Sequence, residues 1–124
     1  MTDYIENEFA KFWIKKDILY LVYKNGISLD QPAAIKVVED RLLLQKGKAF
    51  LIFCDLRGLK SVDKGARNYF AGEGGVLIKA IALLVKTPLT SAISGFFIKA
   101  NRPTFKIEKF TKEADALEYL NLIS

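Results

Sequence analysis

An α/β fold with a mixed, mostly parallel five-stranded sheet and four helices, in the order β-β-α-β-α-β-α-β-α, is what this sequence predicts. Three observations carry that expectation. Ala49 to Cys54 and Lys79 to Val85 are apolar runs of the kind found in strands covered on both faces. Segments with apolar residues every three or four positions alternate with these runs, as crossover helices require. Two further strand-like segments lie close together near the start, so a hairpin places an antiparallel strand at one sheet edge. Right-handed crossovers then order the rest. Residues 1–124 read as one domain, without internal repeat, linker or low-complexity stretch.

Ala10 to Ile14 and Ile18 to Tyr23 are apolar, aromatic and β-branched, and they flank Lys15-Lys16-Asp17, read as a three-residue turn that lacks glycine. Lys24-Asn25-Gly26 ends the second strand. Ser28 to Gln45 reads as a helix, opened either by a Ser28–Gln31 capping box or by Asp30 with Pro32 in the first turn. Ile35, Val38 and Leu42 give it an apolar face, and Lys46-Gly47-Lys48 stops it. After the Ala49–Cys54 strand, the next helix is expected from about Val62 into Ala71-Gly72, with Val62, Ala66, Tyr69 and Phe70 inward. Gly72-Glu73-Gly74-Gly75 follows a helix and precedes a strand, the reverse of a phosphate loop, and reads as a helix stop. Beyond the Lys79–Val85 strand, Thr87-Pro88 supplies an N-cap and a proline at the first helical position. Leu89, Ala92, Ile93, Phe96, Phe97 and Ala100 follow at helical spacing, with Asn101 and Pro103 closing the helix. Thr104 to Phe110 alternates as a strand with Phe105 and Ile107 opposite the lysines. Thr111 with Glu113 caps a last helix carrying Ala114, Leu117, Leu120 and Ile123.

Composition excludes several chemistries. Histidine is absent, which removes the side chain most used for proton transfer near neutral pH and the commonest transition-metal ligand. One cysteine forms neither an internal disulfide nor a zinc site, and a reducing cytoplasm is the expected compartment. Ser-His-Asp and Cys-His catalysis are ruled out within one chain, and no cofactor is implied. No apolar run approaches the ~18 residues of a membrane span, and the acidic start of the chain does not read as a signal peptide. The net charge of +5 comes from lysines scattered through every element, a solvated surface and not a nucleic-acid footprint.

One segment concentrates chemistry. Phe50 to Asp55 is a buried strand that stops on an acid, and Leu56-Arg57-Gly58-Leu59-Lys60-Ser61-Val62 leads to a second acid, Asp63, which opens a helix. This segment, together with the element order, resembles the STAS domain, the fold of the anti-sigma-factor antagonists of sporulation. In that family the strand runs into an Asp-Leu-Ser-Gly-type turn, and an apolar residue and an Asp precede the serine that is phosphorylated at the following helix start. Asp55, Leu56, Gly58, Val62 and Asp63 match at the same spacing, while Lys64 stands where the phosphorylated serine stands in the family and Gly65-Ala66-Arg67 replaces the usual Ser-Gly-Leu. The chain is also similar to small stand-alone bacterial proteins with a SpoIIAA-like fold, grouped with STAS and CRAL-TRIO domains. The resemblance implies a SpoIIAA-like sheet and a regulatory, protein-binding role whose phospho-switch is absent, because lysine accepts no phosphate from a serine kinase.

The candidate residues follow. Asp55 is expected to accept backbone N–H bonds of its own turn, and Asp63 to cap the next helix. Ser61 reads as a turn or cap hydroxyl. Arg57, Lys60, Lys64 and Arg67 gather around the helix start, either as a solvated charged edge or, with its exposed amides, to hold a partner or an anion such as a phosphate or lipid head group. Cys54 reads as core. Phe96-Phe97 widens the apolar face of its helix and leaves core, a homodimer interface and the wall of a lipid pocket open. The function expected is a non-catalytic regulatory or protein-interaction module; the alternative is a binder of a lipid or a small anionic metabolite.

Overall fold

The structure, a computed structural model, describes residues 3–101 and 104–124. Among these, eight strands and four α-helices run in the order β1 (Tyr4–Glu6), β2 (Ala10–Lys15), β3 (Ile18–Tyr23), β4 (Ile27–Leu29), α1 (Gln31–Gln45), β5 (Phe50–Asp55), β6 (Leu59–Val62), α2 (Lys64–Ala71), β7 (Ile78–Leu84), α3 (Pro88–Asn101), β8 (Lys106–Phe110) and α4 (Glu113–Ile123). The main sheet has six strands in the order β1-β2-β3-β5-β7-β8, one more than expected, because β1 pairs antiparallel outside β2. The β2–β3 pair is antiparallel, and β3-β5, β5-β7 and β7-β8 are parallel. The α/β order and the antiparallel hairpin therefore stand as the sequence predicts, but β1 and not a hairpin strand forms that edge of the sheet.

The hairpin turn is two residues and not three. Lys15 pairs with Ile18, and Lys16 and Asp17 both take positive φ, 51° and 66°. Two left-handed central residues make the primed turn that matches strand twist, so a tight hairpin forms without glycine at the cost of strain in both residues. A small parallel sheet of β4 and β6, not expected from sequence, pairs Ser28 with Ser61 and Leu29 with Val62. It takes Ser28 out of α1 and delays α2. Asp30 caps α1, its carboxylate accepting the Ala33 N–H at 2.9 Å, with Pro32 in the first turn.

The sheet carries two unequal layers. α1, α2 and α3 cover the face that holds Phe12, Leu21, Ile52, Leu83 and Ile107. α4 alone covers the other, where Ala80 and Ala82 of β7 let Ala116 and Leu120 approach closely. All six residues of β5 are buried, as a strand between two layers requires.

Helix faces differ from expectation in informative ways. In α1 the buried stripe runs through Ala33, Ala34, Val37, Val38, Arg41, Leu44 and Gln45, and Ile35 and Leu42 are only half-buried. In α3, Ile93 is buried as expected, but Leu89, Ala92, Phe96 and Ala100 lie exposed, and Thr90 and Ser94 are buried instead. Those hydroxyls enter the core because their bonds are made locally: Thr90 Oγ1 accepts the Lys86 and Thr87 N–H groups at 3.0 Å, and Ser94 Oγ donates to Ser91 O at 2.6 Å. Thr87 caps α3, its Oγ1 accepting the Thr90 N–H at 3.1 Å. Pro103, expected to close α3, lies outside the described residues. α4 begins after Lys112 with no side-chain cap, so Thr111 does not cap it, and Ala114 is exposed.

Candidate functional site

The acid-turn-acid segment closes on itself. Asp55, buried at the end of β5, accepts the backbone N–H of Arg57 at 3.0 Å. Its carboxylate also takes the Arg57 side chain in a two-pronged pair, Nε at 3.0 Å and Nη2 at 2.8 Å. That arrangement satisfies the carboxylate and strengthens the guanidinium's hold on its proton. Leu56 then donates its N–H to Leu84 O of β7, and Leu59 donates back to Leu56 O at 2.9 Å.

Gly58 is the tightest point of the turn. Its backbone passes against β3, so that a Cβ there would stand 2.3 Å from Lys24 O and 2.6 Å from Tyr23 O. Its carbonyl accepts the N–H groups of Gly26 and Ile27 at 2.8 and 3.2 Å. The acids, the glycine and the β4–β6 pairing thus form one hydrogen-bonded corner.

The helix start is likewise satisfied from within. Asp63 N–H donates to Leu29 O, and the Asp63 carboxylate accepts the Ala66 N–H at 2.9 Å. α2 begins at Lys64 and not at Val62, because Val62 ends β6. Ser61 sits in β6, not in a turn or cap. The Asp63 carboxylate takes the Ala66 amide and places a negative charge at the α2 start, which disfavours an added anion there.

The cations expected to gather there separate. Lys60 and Lys64 point into solvent. Arg67 folds back, Nη1 donating to Val62 O at 3.0 Å, and its guanidinium lies 4.6 Å from the ring centre of Phe96. Arg57 stays with Asp55 and lines a polar cleft at the carboxyl ends of the strands.

Phe96 and Phe97 part company as well. Phe96 is 51% exposed beneath Arg67. Phe97 turns inward, edge-on to Phe70 at 5.3 Å and 76°, and lines an apolar cavity of about 60 Å³ between α1, the sheet and α3. Cys54 also faces that cavity, and burial drives its thiol pKa far above the ordinary value.

Sequence reasoning missed Arg41, which lines the same cavity. Its guanidinium donates to Val76 O at 3.1 Å, to Gly74 O at 3.2 Å and to Gln45 Oε1. Gln45 in turn donates to Lys48 O and Leu77 O at 2.8 and 2.9 Å. Together they clamp the α2–β7 loop, including Leu77 at φ 60°. Burial lowers the Arg41 pKa to about 10. The signal was present: positions 41 and 45 are a polar pair on the stripe of Val37, Val38 and Leu44.

Residues 12–124 match the model of the family described as Domain of unknown function (DUF7793). The chain belongs to that family. No curated protein matches it. Among solved structures, it is similar to an uncharacterized protein of the DUF3478 family with a SpoIIAA-like fold from Shewanella loihica PV-4, at 14% identity and a TM-score of 0.65, over 94% of this chain and 98% of that one. The fold of this DUF7793 member is SpoIIAA-like. At that identity the likeness concerns fold alone. Among the described residues, no helix is long and apolar enough to cross a membrane.

Proposed function

We propose that this chain is a non-catalytic, STAS-type regulatory module that binds an acidic protein partner through the outer face of α2 and α3. The observation that carries the reading is the exposed Arg67–Phe96 pair. Phe96 and Leu89, one heptad apart on α3, expose 51% and 50% of their surfaces. Small Ala92 lies between them, and Arg67 sets a positive charge over Phe96. Aromatic residues and arginine are the residue types that anchor protein interfaces. Lys64 holds a fixed positive charge where the STAS domains that the chain resembles carry a switchable phosphoserine, so this module engages its partner without phosphorylation. The absence of histidine and the inert, buried Cys54 support a role without chemistry.

The test is site-specific photocrosslinking in the native host, with the probe at position 96 and a control probe at Leu43, exposed on α1. The expected result is one adduct protein at 96 and none at 43. The purified adduct partner should then bind at least about tenfold more weakly to Phe96→Ala and to Arg67→Glu, a loss typical of an anchor residue. Binding that ignores both substitutions, or adducts between two copies of the chain alone, would overturn the reading.

The small-ligand alternative rests on the cavity of about 60 Å³ with its apolar wall and the Arg41 cation. Its size argues against a lipid chain, since a cavity of about 150 Å³ is what holds a single benzene. Native mass spectrometry of protein purified from its host checks this reading, a retained acyl mass being the result in its favour.

A further inference from the structure

A second place on the molecule has the shape and charge of a ligand site. A polar cleft of about 550 Å³ opens at the carboxyl ends of β3, β5 and β7. That is the end of an α/β sheet where ligands gather, and the volume falls within the range of small-molecule pockets. Four cations, Lys11, Lys24, Arg57 and Lys86, line it against two carboxylates, Glu6 and Asp55. Both carboxylates are already committed: Glu6 to Lys24 at 2.7 Å, Asp55 to Arg57 at 2.8 Å. Among the described residues, Lys11 and Lys86 have no carboxylate within ion-pair distance. The residues lining the cleft therefore carry an excess of two positive charges, with Glu113 outside the lining but close enough to act on Arg57. The Glu6 pKa is drawn down by its bonds to Lys24 and Tyr4, with a smaller pull from Lys11.

Arg57 is positioned in advance. Asp55 takes the N–H of Nε and one N–H of Nη2, which leaves the second N–H of Nη2 and the two of Nη1 for another acceptor. A fixed guanidinium fork beside two lysine point charges suits a tetrahedral dianion. A longer polyanion fits poorly, because Glu6 and Asp55 oppose charge placed along the rest of the cleft. We propose that this cleft binds a small phosphate dianion, free or as a monoester, through Arg57, Lys11 and Lys86.

The experiment is an amide NMR titration of the full chain at low salt and pH 7.5, with inorganic phosphate, glycerol 3-phosphate and, as a control, sodium chloride. Saturable shifts are expected at Asn25, Arg57, Gly58 and Lys86, with a Kd of about 1 mM or tighter for at least one phosphate compound. The tighter of the two assigns the source, free ion or ester. Lys11→Ala and Lys86→Ala, both at exposed positions, should each weaken binding about tenfold, corresponding to loss of one charge-assisted contact. Lys64→Ala, outside the cleft, should leave it unchanged. Three results overturn the proposal: no saturation at tens of millimolar, equal shifts with chloride, or equal weakening by Lys64→Ala.

Discussion

The Asp55–Asp63 corner and the layer of α1, α2 and α3 lie side by side, and each must satisfy polar groups near the core. The corner does so over short sequence distances. Asp55 bonds to Arg57, Asp63 to Ala66, and Leu59 to Leu56. The helical layer does so over long ones: Arg41 and Gln45 reach about a turn of loop more than thirty residues away. It also encloses an apolar cavity, whereas the corner borders an open polar cleft. The difference teaches where a motif is evidence for structure. A motif that spends most of its polar groups on itself is chiefly a fold signature, and chemistry must be sought where groups remain unspent, as with the remaining Arg57 N–H groups beside the cleft. Here those are the Arg67–Phe96 surface and the cationic cleft.

The largest expected effect breaks the corner. Gly58→Ala drives a methyl group into the Lys24 and Tyr23 carbonyls, both backbone atoms that cannot swing aside. Forced overpacking of this kind should cost about 3 kcal/mol or more, seen as a loss of about 10 °C or more in Tm. A thermal melt within about 2 °C of the parent would show that β3 and the turn can slide apart.

Breaking the helical layer should cost less. Arg41→Met keeps apolar bulk but leaves the Gly74, Val76 and Gln45 oxygens without their donor. It also relieves the burial of an unpaired cation, and the two effects oppose each other. The loss of three acceptors' partners should win, leaving a net loss of about 2 kcal/mol in urea unfolding. Hydrogen exchange should rise in residues 74 to 77 and not in 55 to 63. Increased exchange at the corner would mean that the two regions unfold as one unit.

The smallest effect is a pH dependence that reads the cavity lining. Burial raises the Cys54 thiol above its ordinary 9.0, so the folded chain keeps a proton that the unfolded chain loses. Stability from this source is complete below pH 9 and falls as pH rises above it, by at most about 1.4 kcal/mol per pH unit. Tyr23, also raised by burial, adds the same sign only above 10.0. Arg41, lowered to about 10, has the opposite sign: the unfolded chain holds the extra proton at higher pH. Between pH 9 and 10 the thiol therefore contributes first. Cys54→Ala should show a shallower decline than the parent across that interval in urea melts. Parallel curves would mean that the thiol ionises in the folded protein.

Much of the fold was legible because it is written locally. The apolar β5 run, the Asp30–Pro32 and Thr87–Pro88 helix starts and the Asp63 cap all depend on neighbours within four residues. The errors share one cause. β1, the β4–β6 pair and the two-residue turn at Lys16-Asp17 depend on distant backbone partners or on strain that composition does not reveal. The candidate site was partly legible for the same reason: Asp55 and Asp63 make the local bonds expected of them, and the expected cluster of Arg57, Lys60, Lys64 and Arg67 does not form.

Taken alone, the sequence determined the α/β class, the antiparallel hairpin and the exclusion of histidine chemistry. These follow from residue type and short-range periodicity, which need no knowledge of what lies opposite. Only the tertiary structure decided that Phe96 faces solvent under Arg67 while Phe97 lines a cavity. It alone buried Arg41 as a clamp and brought Lys11 and Lys86, 75 positions apart in the chain, to one cleft. Adjacent side chains on a helix point about 100° apart, and charges on separate strands meet only when the sheet sets their order, so neither outcome is encoded in any one segment.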